Sequence, residues 1–264
     1  MKATVFLGGG RITGALISGL RLVGYHQPII VHDRHAAKMR QLQREFHVET
    51  ERDLQRAVAQ AGLLIVAVRP DSVRQLLGEI GSIERPLLAV SLAAGVPLAK
   101  LRRGLGRPVS WSRAMPSPTC RTRRGFTALA FSHELSPSDR KRVCGFFARV
   151  GAVLEIPEKK FDAFTATYSS SHGYHALAAL SLAGEKLGLD PKTAQAAAAH
   201  ALAGGVMAFT EGKLPLEKLI HEAATPGGIA ATVMKTMDDA GYYHIIERGV
   251  RAGVARARAN ARGV

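Results

Sequence analysis

Two hydrophobic rhythms divide this chain. Ala3–Leu7 is an apolar run of strand length. After the glycines at 8–10, Ile12, Ala15, Leu16, Gly19, Leu20 and Val23 recur at helical spacing, and Gly24 supplies a stop. Pro28–His32 predicts a second strand and His35–Phe46 a polar helix. Leu63–Val68 predicts a strand, followed by Pro70 and a helix through Leu77; Pro86–Leu92 predicts another, followed by a short helix near Pro97–Arg103. Gly125–Phe131 and Ala152–Ile156 predict later strands, with a helix over Ser136–Phe147 between them. Such alternation predicts a parallel sheet with helices on both faces.

After Pro157 the strand-like runs stop. Ala-rich helical segments follow at Phe161–Tyr168, His175–Leu187, Pro191–Phe209, Leu216–Ala223 and, with breaks, Gly228–Arg258. In the last of these Ile246, Val250, Val254, Ala257 and Ala261 form an apolar stripe, while Arg248, Arg251, Arg258 and Arg262 lie elsewhere on the wheel and read as a solvated face. Helices this rich in Ala and Gly have little bulk with which to fill a core. They are therefore expected to pack against a second copy of the chain.

Composition narrows the picture. The 264 residues are 47% hydrophobic, an ordinary globular balance. The start turns polar too soon for a secretory signal, and no apolar run reaches the ~18 residues of a membrane span. Only two cysteines occur, Cys120 and Cys144, at no metal-binding spacing, and the histidines and carboxylates are dispersed; a cytoplasmic protein without a metal is expected. The formal charge is +15, yet the arginines are scattered and not interleaved with aromatics. That argues for attraction of phosphate-bearing small molecules rather than for a nucleic-acid partner, and no membrane partner is expected.

The chemistry begins at Gly8-Gly9-Gly10-Arg11-Ile12-Thr13, which leaves a strand and opens a helix. Gly8 allows the tight turn, Gly10 removes a side chain that would block a pyrophosphate, and the helix N-terminal amides face the phosphates. Thr13 stands where a third glycine is usual. The second strand ends in His32-Asp33-Arg34: an acid here accepts ribose hydroxyls, whereas Arg34 suits a 2′-phosphate and tips the expectation towards NADPH over NADH. The fold class is thus α/β: a Rossmann dinucleotide-binding domain over residues 1–157, then an all-α domain over 158–264.

The order of motifs resembles the pyrroline-5-carboxylate reductase family, within the 6-phosphogluconate-dehydrogenase-like superfamily. The likeness runs through LGGGRITGAL, Val66–Pro70, Ser91–Val96, Arg113–Thr119, Gly125–Leu129, Glu158–Ala166 and Ala224–Ala230. It implies a helical dimerisation domain with interleaved subunits, larger assemblies of dimers, and hydride transfer from NAD(P)H to the carbon of a cyclic imine, with proline as product. Val68, Arg69 and Pro70 would leave a strand on the coenzyme side, with Ala93, Met115 and Pro116 towards the nicotinamide. Gly227 and Gly228, after Pro226, would start a helix whose amides hold a substrate carboxylate, with Ile229 and Ala230 on the same side.

Departures from the family gather at the substrate end. A Gly-Ser-Gly-Pro-Ala-Tyr run reads Ser169-Ser170-Ser171-His172-Gly173-Tyr174, keeping only Ser170 and Tyr174. Thr225 keeps a hydroxyl, but Ile229 and Ala230 replace hydroxyl residues, and Met115-Pro116-Ser117-Pro118-Thr119 exchanges a Thr and a Pro. A hydrogen bond to a carboxylate is worth roughly 1.5–3 kcal/mol, so such losses bear on rate. His172 or Tyr174 can supply a proton to an imine nitrogen. Ser170, His172, Tyr174 and Thr225 are therefore the candidate catalytic residues. The expected activity is NAD(P)H-dependent reduction of a cyclic imine carboxylate, alongside two alternatives: a paralogue reducing a different imine, or a non-catalytic coenzyme-sensing homologue.

Overall fold

The computed structural model describes residues 2–262. Strand and helix alternate through β1 (Ala3–Leu7), α1 (Arg11–Leu22), β2 (Ile29–His32), α2 (Ala36–Phe46), β3 (Glu49–Thr50), α3 (Leu54–Ala59), β4 (Ala61–Val66), α4 (Pro70–Ile80), β5 (Leu87–Ser91), α5 (Leu98–Gly104) and β6 (Val109–Pro116). A 3-10 turn at Pro118–Thr122 leads into β7 (Gly125–Phe131), α6 (Pro137–Ala148) and β8 (Gly151–Glu155). Helices alone follow: α7 (Phe161–Thr167), α8 (Ser171–Lys186), α9 (Pro191–Glu211), α10 (Leu216–Ala223), α11 (Ile229–Asp239) and α12 (Tyr242–Arg262), with one 3-10 turn at Glu158–Lys160.

The strands form one sheet in the order β3-β2-β1-β4-β5-β6-β7-β8. All neighbours are parallel except β6 and β7. The expectation of a parallel sheet needs that correction, and the reason is length: the link from β6 to β7 is too short for the crossover a parallel pair needs. Period-two alternation explains the two cores. Val5, Leu7, Leu64, Val66 and Trp111 face α3, α4 and α5, whereas Phe6, Ile65 and Val90 face α1, α2 and α6. A sheet buried on both faces reads as apolar runs, which is why most strands were visible in the sequence.

β6 was not visible, because Ser110, Ser112 and Arg113 interrupt its apolar character. The fold buries Ser112 and Arg113 with partners: the Ser112 hydroxyl donates to the Ala89 carbonyl at 3.3 Å. Arg113, 2% exposed, pairs with Glu158 at 3.3 Å and Asp162 at 3.4 Å and stacks over the Phe161 ring at 4.3 Å. These contacts fasten α7 to the sheet. Burying the Phe161 side chain there is worth about 2–3 kcal/mol.

By packing, the chain falls into two compact units. One compact unit holds the described residues through Thr167 together with those from Arg251 on; the other is Tyr168–Val250. The end of α12 belongs to the first unit because it lies against the loop after β5. The Asn260 amide donates to the Ala94 carbonyl at 3.4 Å, and a Cβ at Gly95 (φ +78°) would sit 2.1 Å from the Ala257 carbonyl oxygen. Only glycine fits a backbone approach this close. The second unit buries little of its own surface: among its described residues only Ser181, Ala194 and Ala198 are buried.

Candidate functional site

Parallel strands β1, β4, β5 and β6 end on one edge of the sheet. Leu7 is level with Val66, Val66 with Ser91, and Ser91 with Arg113. The loops leaving that edge carry the coenzyme candidates, where ligands of open α/β sheets bind. A cleft of about 350 Å³ lies there, lined by Gly8, Gly10, Asp33, Arg34, Val68 and Arg69, among others. Pro70 begins α4 directly behind it, with Arg69 as the residue before the helix.

The glycine turn has distinct parts. Gly8 has φ +111°, and a Cβ there would lie 2.6 Å from the Ala67 carbonyl oxygen, so its constraint comes from the protein itself. A Cβ at Gly10 would meet nothing within 4 Å. Gly10 also lines the cleft, and no neighbouring protein atom requires glycine there. Arg11, exposed, and Ile12, half-buried, open α1. Thr13 takes the place of the third glycine without loosening the turn: it is fully buried, and its hydroxyl donates to the Gly8 carbonyl at 2.6 Å. The first-turn amides of α1 have no intrahelical partner and no side-chain cap at Gly10, which suits a pyrophosphate.

Asp33 is committed within the protein. Its Oδ2 accepts from the Gly9 amide at 2.7 Å, and its Oδ1 accepts from the His35 amide at 2.7 Å and lies 3.0 Å from the His35 ring. Burial favours the neutral acid, but hydrogen bonds from the Gly9 and His35 amides and the His35 ring, with the Lys38 charge, outweigh it and hold the carboxyl below its ordinary value. Arg34 is drawn to α4, where it pairs with Glu79 at 2.9 Å. His35 and Lys38 also line the cleft, and sequence reasoning missed them. Their signal was available: basic residues two and five positions after Asp33, at the start of α2.

Three further candidates fall outside this cleft's lining. Ala93, 3% exposed, sits in the loop after β5, its amide held by the Ser91 hydroxyl at 3.3 Å. Met115 and Pro116 end β6 and pair in register with Ala128 and Thr127 of β7. All three share the sheet edge with the cleft.

The substrate candidates lie in the helical unit. Ser170 precedes α8, and its carbonyl accepts from the Tyr174 amide at 3.3 Å. The Ser169 and Ser171 hydroxyls bond each other at 2.7 Å. His172 is exposed, and Tyr174 is 70% exposed. The Thr225 carbonyl accepts from the Gly228 amide at 2.9 Å, closing the turn that aims α11. Gly227 lies inside that turn, and Gly228 is the residue before α11, with no side-chain cap. Ile229 is 87% exposed and Ala230 is exposed beside it. Neither offers a hydroxyl; the nearest in α11, Thr232, donates to the Gly228 carbonyl at 3.1 Å. Among the described residues no group of His, Cys, Asp and Glu side chains is arranged to hold a metal. No described helix is long and apolar enough to cross a membrane.

Comparison with known proteins agrees with this geometry. Residues 158–260 match the family model for pyrroline-5-carboxylate reductase dimerisation, and residues 4–95 the model for NADP oxidoreductase, coenzyme F420-dependent. The pyrroline-5-carboxylate reductase of Synechocystis sp. is 29% identical over 257 residues, covering 96% of either chain. That of Kluyveromyces lactis is 32% identical over 201 residues, covering 75% of this chain and 69% of its own. The chain belongs to the pyrroline-5-carboxylate reductase family. The fold agrees as well: the Plasmodium falciparum pyrroline carboxylate reductase, solved with NADP bound, matches at a TM-score of 0.86 and 20% identity, covering 98% of each chain.

Proposed function

We propose that the chain reduces a cyclic imine carboxylate of the pyrroline-5-carboxylate type to the corresponding cyclic amino acid, using NAD(P)H, and that it acts as a homodimer through its helical half. The observation that carries this reading is the cleft at the strand edge of a chain of this family: a glycine turn with room for phosphate, uncapped α1 amides, and basic Arg34, His35 and Lys38 around it. The bound coenzyme supplies a hydride to the imine carbon. Gly8, Gly10 and the first turn of α1 hold the pyrophosphate. Ala93, Met115 and Pro116, small or apolar, border the nicotinamide and exclude water from it.

On the substrate side, the free amides at the start of α11 hold the carboxylate. These are backbone groups, so they survive the replacement of hydroxyl residues by Ile229 and Ala230. The imine nitrogen takes up one proton as its carbon takes up hydride. The Tyr174 hydroxyl, the His172 ring or water delivers it, with Ser170 and Thr225 orienting the ring. The free thiols of Cys120 and Cys144 suit a reducing, cytoplasmic setting.

The test is NADPH oxidation by the purified protein with pyrroline-5-carboxylate; no turnover rejects the assignment. The bare α11 start favours one second reading, a paralogue that reduces another imine. Under it, a different five- or six-membered cyclic imine is turned over better than pyrroline-5-carboxylate, and Ala230→Thr raises activity on the latter by about tenfold, the worth of one charged hydrogen bond. An unchanged rate in that variant removes Ala230 as the discriminating position.

A further inference from the structure

Arg34 stands directly after β2, where a guanidinium meets a coenzyme 2′-phosphate, yet its fork is already filled. Nη2 donates to both carboxylate oxygens of Glu79, at 2.9 and 3.0 Å, and Nη1 reaches Oε1 of Gln75 at 3.4 Å. Gln75 also braces the acceptor: its Nε2 donates to Glu79 Oε1 at 2.9 Å, one helical turn along α4. Glu79 and Gln75 thus occupy the two terminal nitrogens on which phosphate oxygens would otherwise sit. Asp33 is turned towards the protein beside this pair, Oδ2 accepting from the Gly9 amide and Oδ1 from the His35 amide.

We propose that Glu79 is a coenzyme-selectivity residue: it holds Arg34 against α4, away from a 2′-phosphate, and so narrows the preference for NADPH over NADH. This inference rests on the coenzyme reading above. A 2′-phosphate has to displace a carboxylate from the guanidinium and then sit beside that same negative charge. NADH carries no such phosphate and is indifferent to the pair. The two side chains are 51% and 42% exposed, so water and salt screen the pair and the penalty is moderate, about fivefold. Glu79 touches neither the glycine turn nor the nicotinamide edge, and the sequence motif gives no hint of it. Its partner lies 45 positions earlier in the chain.

The experiment is fluorescence titration of the purified protein with NADPH and, separately, NADH, without any imine, for wild type, Glu79→Ala and Glu79→Gln. Glu79 is exposed near the end of α4, where Ala is a good helix former, and thermal unfolding checks that each variant is folded. Both variants should bind NADPH about fivefold more tightly, with NADH changed by less than about twofold. In an Arg34→Gln background the gain should vanish, because Glu79 acts through Arg34. An unchanged NADPH-to-NADH ratio overturns the inference, and so does a gain that persists without Arg34. A wild-type protein that binds neither coenzyme overturns the coenzyme reading itself, whereas one that binds both with an unmoved ratio overturns only the role of Glu79.

Discussion

The sheet unit and the helical unit solve opposite problems. The sheet unit closes on itself: its central strands are buried on both faces, and polar groups within it find partners, as at Thr13 and Ser112. The helical unit leaves its apolar side chains in water, with Leu182 54%, Val206 62%, Phe209 49% and Ile245 61% exposed. Charge follows the same division, the basic excess lying in the sheet unit while acidic and basic residues nearly balance in Tyr168–Val250. On the proposed reading the coenzyme cleft is formed by one chain, whereas the exposed apolar side chains of the helical unit suit burial against a second copy.

The largest effect should come from breaking that dependence. Val206→Asp places a charge on the exposed apolar face of α9, and a charge trapped in an apolar interface costs several kcal/mol. Light scattering should show a monomer, and turnover should fall by ~100-fold or more, while NADPH titration stays near wild type because the coenzyme cleft lies in the other unit. A dimer that survives the substitution removes this face of α9 from the interface.

Within the sheet unit the comparison sharpens to two glycines of one turn. Gly8→Ala forces a side chain to φ +111° against the Ala67 carbonyl oxygen, a strain of about 1–3 kcal/mol, or several degrees in Tm. Gly10→Ala meets no protein atom within 4 Å, so Tm should hold while coenzyme affinity falls, by about tenfold for a methyl group in the phosphate's space. Equal losses of stability in the two variants would mean that Gly10 is also constrained by the protein.

Legibility in the sequence followed the same line. Runs such as Leu64–Val66 or Gly125–Phe131 announce themselves because both faces are buried, and the glycine turn because its backbone demands glycine. β6 hid because Arg113 is buried through partners, Glu158 and Asp162, that lie 45 and 49 positions away. Arg34 stood out in the sequence as a side chain suited to a phosphate, but its pairing with Glu79 depends on the loop after β2 lying beside α4, which no local pattern encodes. At the substrate end, Ile229 and Ala230 were legible as missing hydroxyls. The helix start beside them was legible too, because Pro226-Gly227-Gly228 marks the turn, but the exposure of Ile229 and Ala230 was not, since it depends on packing that no local pattern carries.

The smallest effect separates one carboxylate in each unit. Asp33 is held below its ordinary value despite burial, by the Gly9 and His35 amides, the His35 ring and Lys38. Asp190, fully exposed before α9, is lowered by the Thr193 hydroxyl and amide and by the Lys192 amide. For a carboxyl whose folded value is depressed, the stabilisation is complete above the unfolded value near ~3.9 and is lost as pH falls through the lower folded value. The difference in Tm between wild type and Asp33→Asn should therefore be level above about pH 5 and shrink below about pH 4, and the Asp190→Asn difference should follow the same course. Only the first should carry coenzyme affinity with it, because Asp33 positions the Gly9 amide of the phosphate turn and Asp190 caps a helix in the other unit. A Tm difference for Asp33→Asn that stays level down to pH ~3, or an acid loss of NADPH binding that Asp33→Asn leaves unchanged, would detach this carboxylate from the turn it holds.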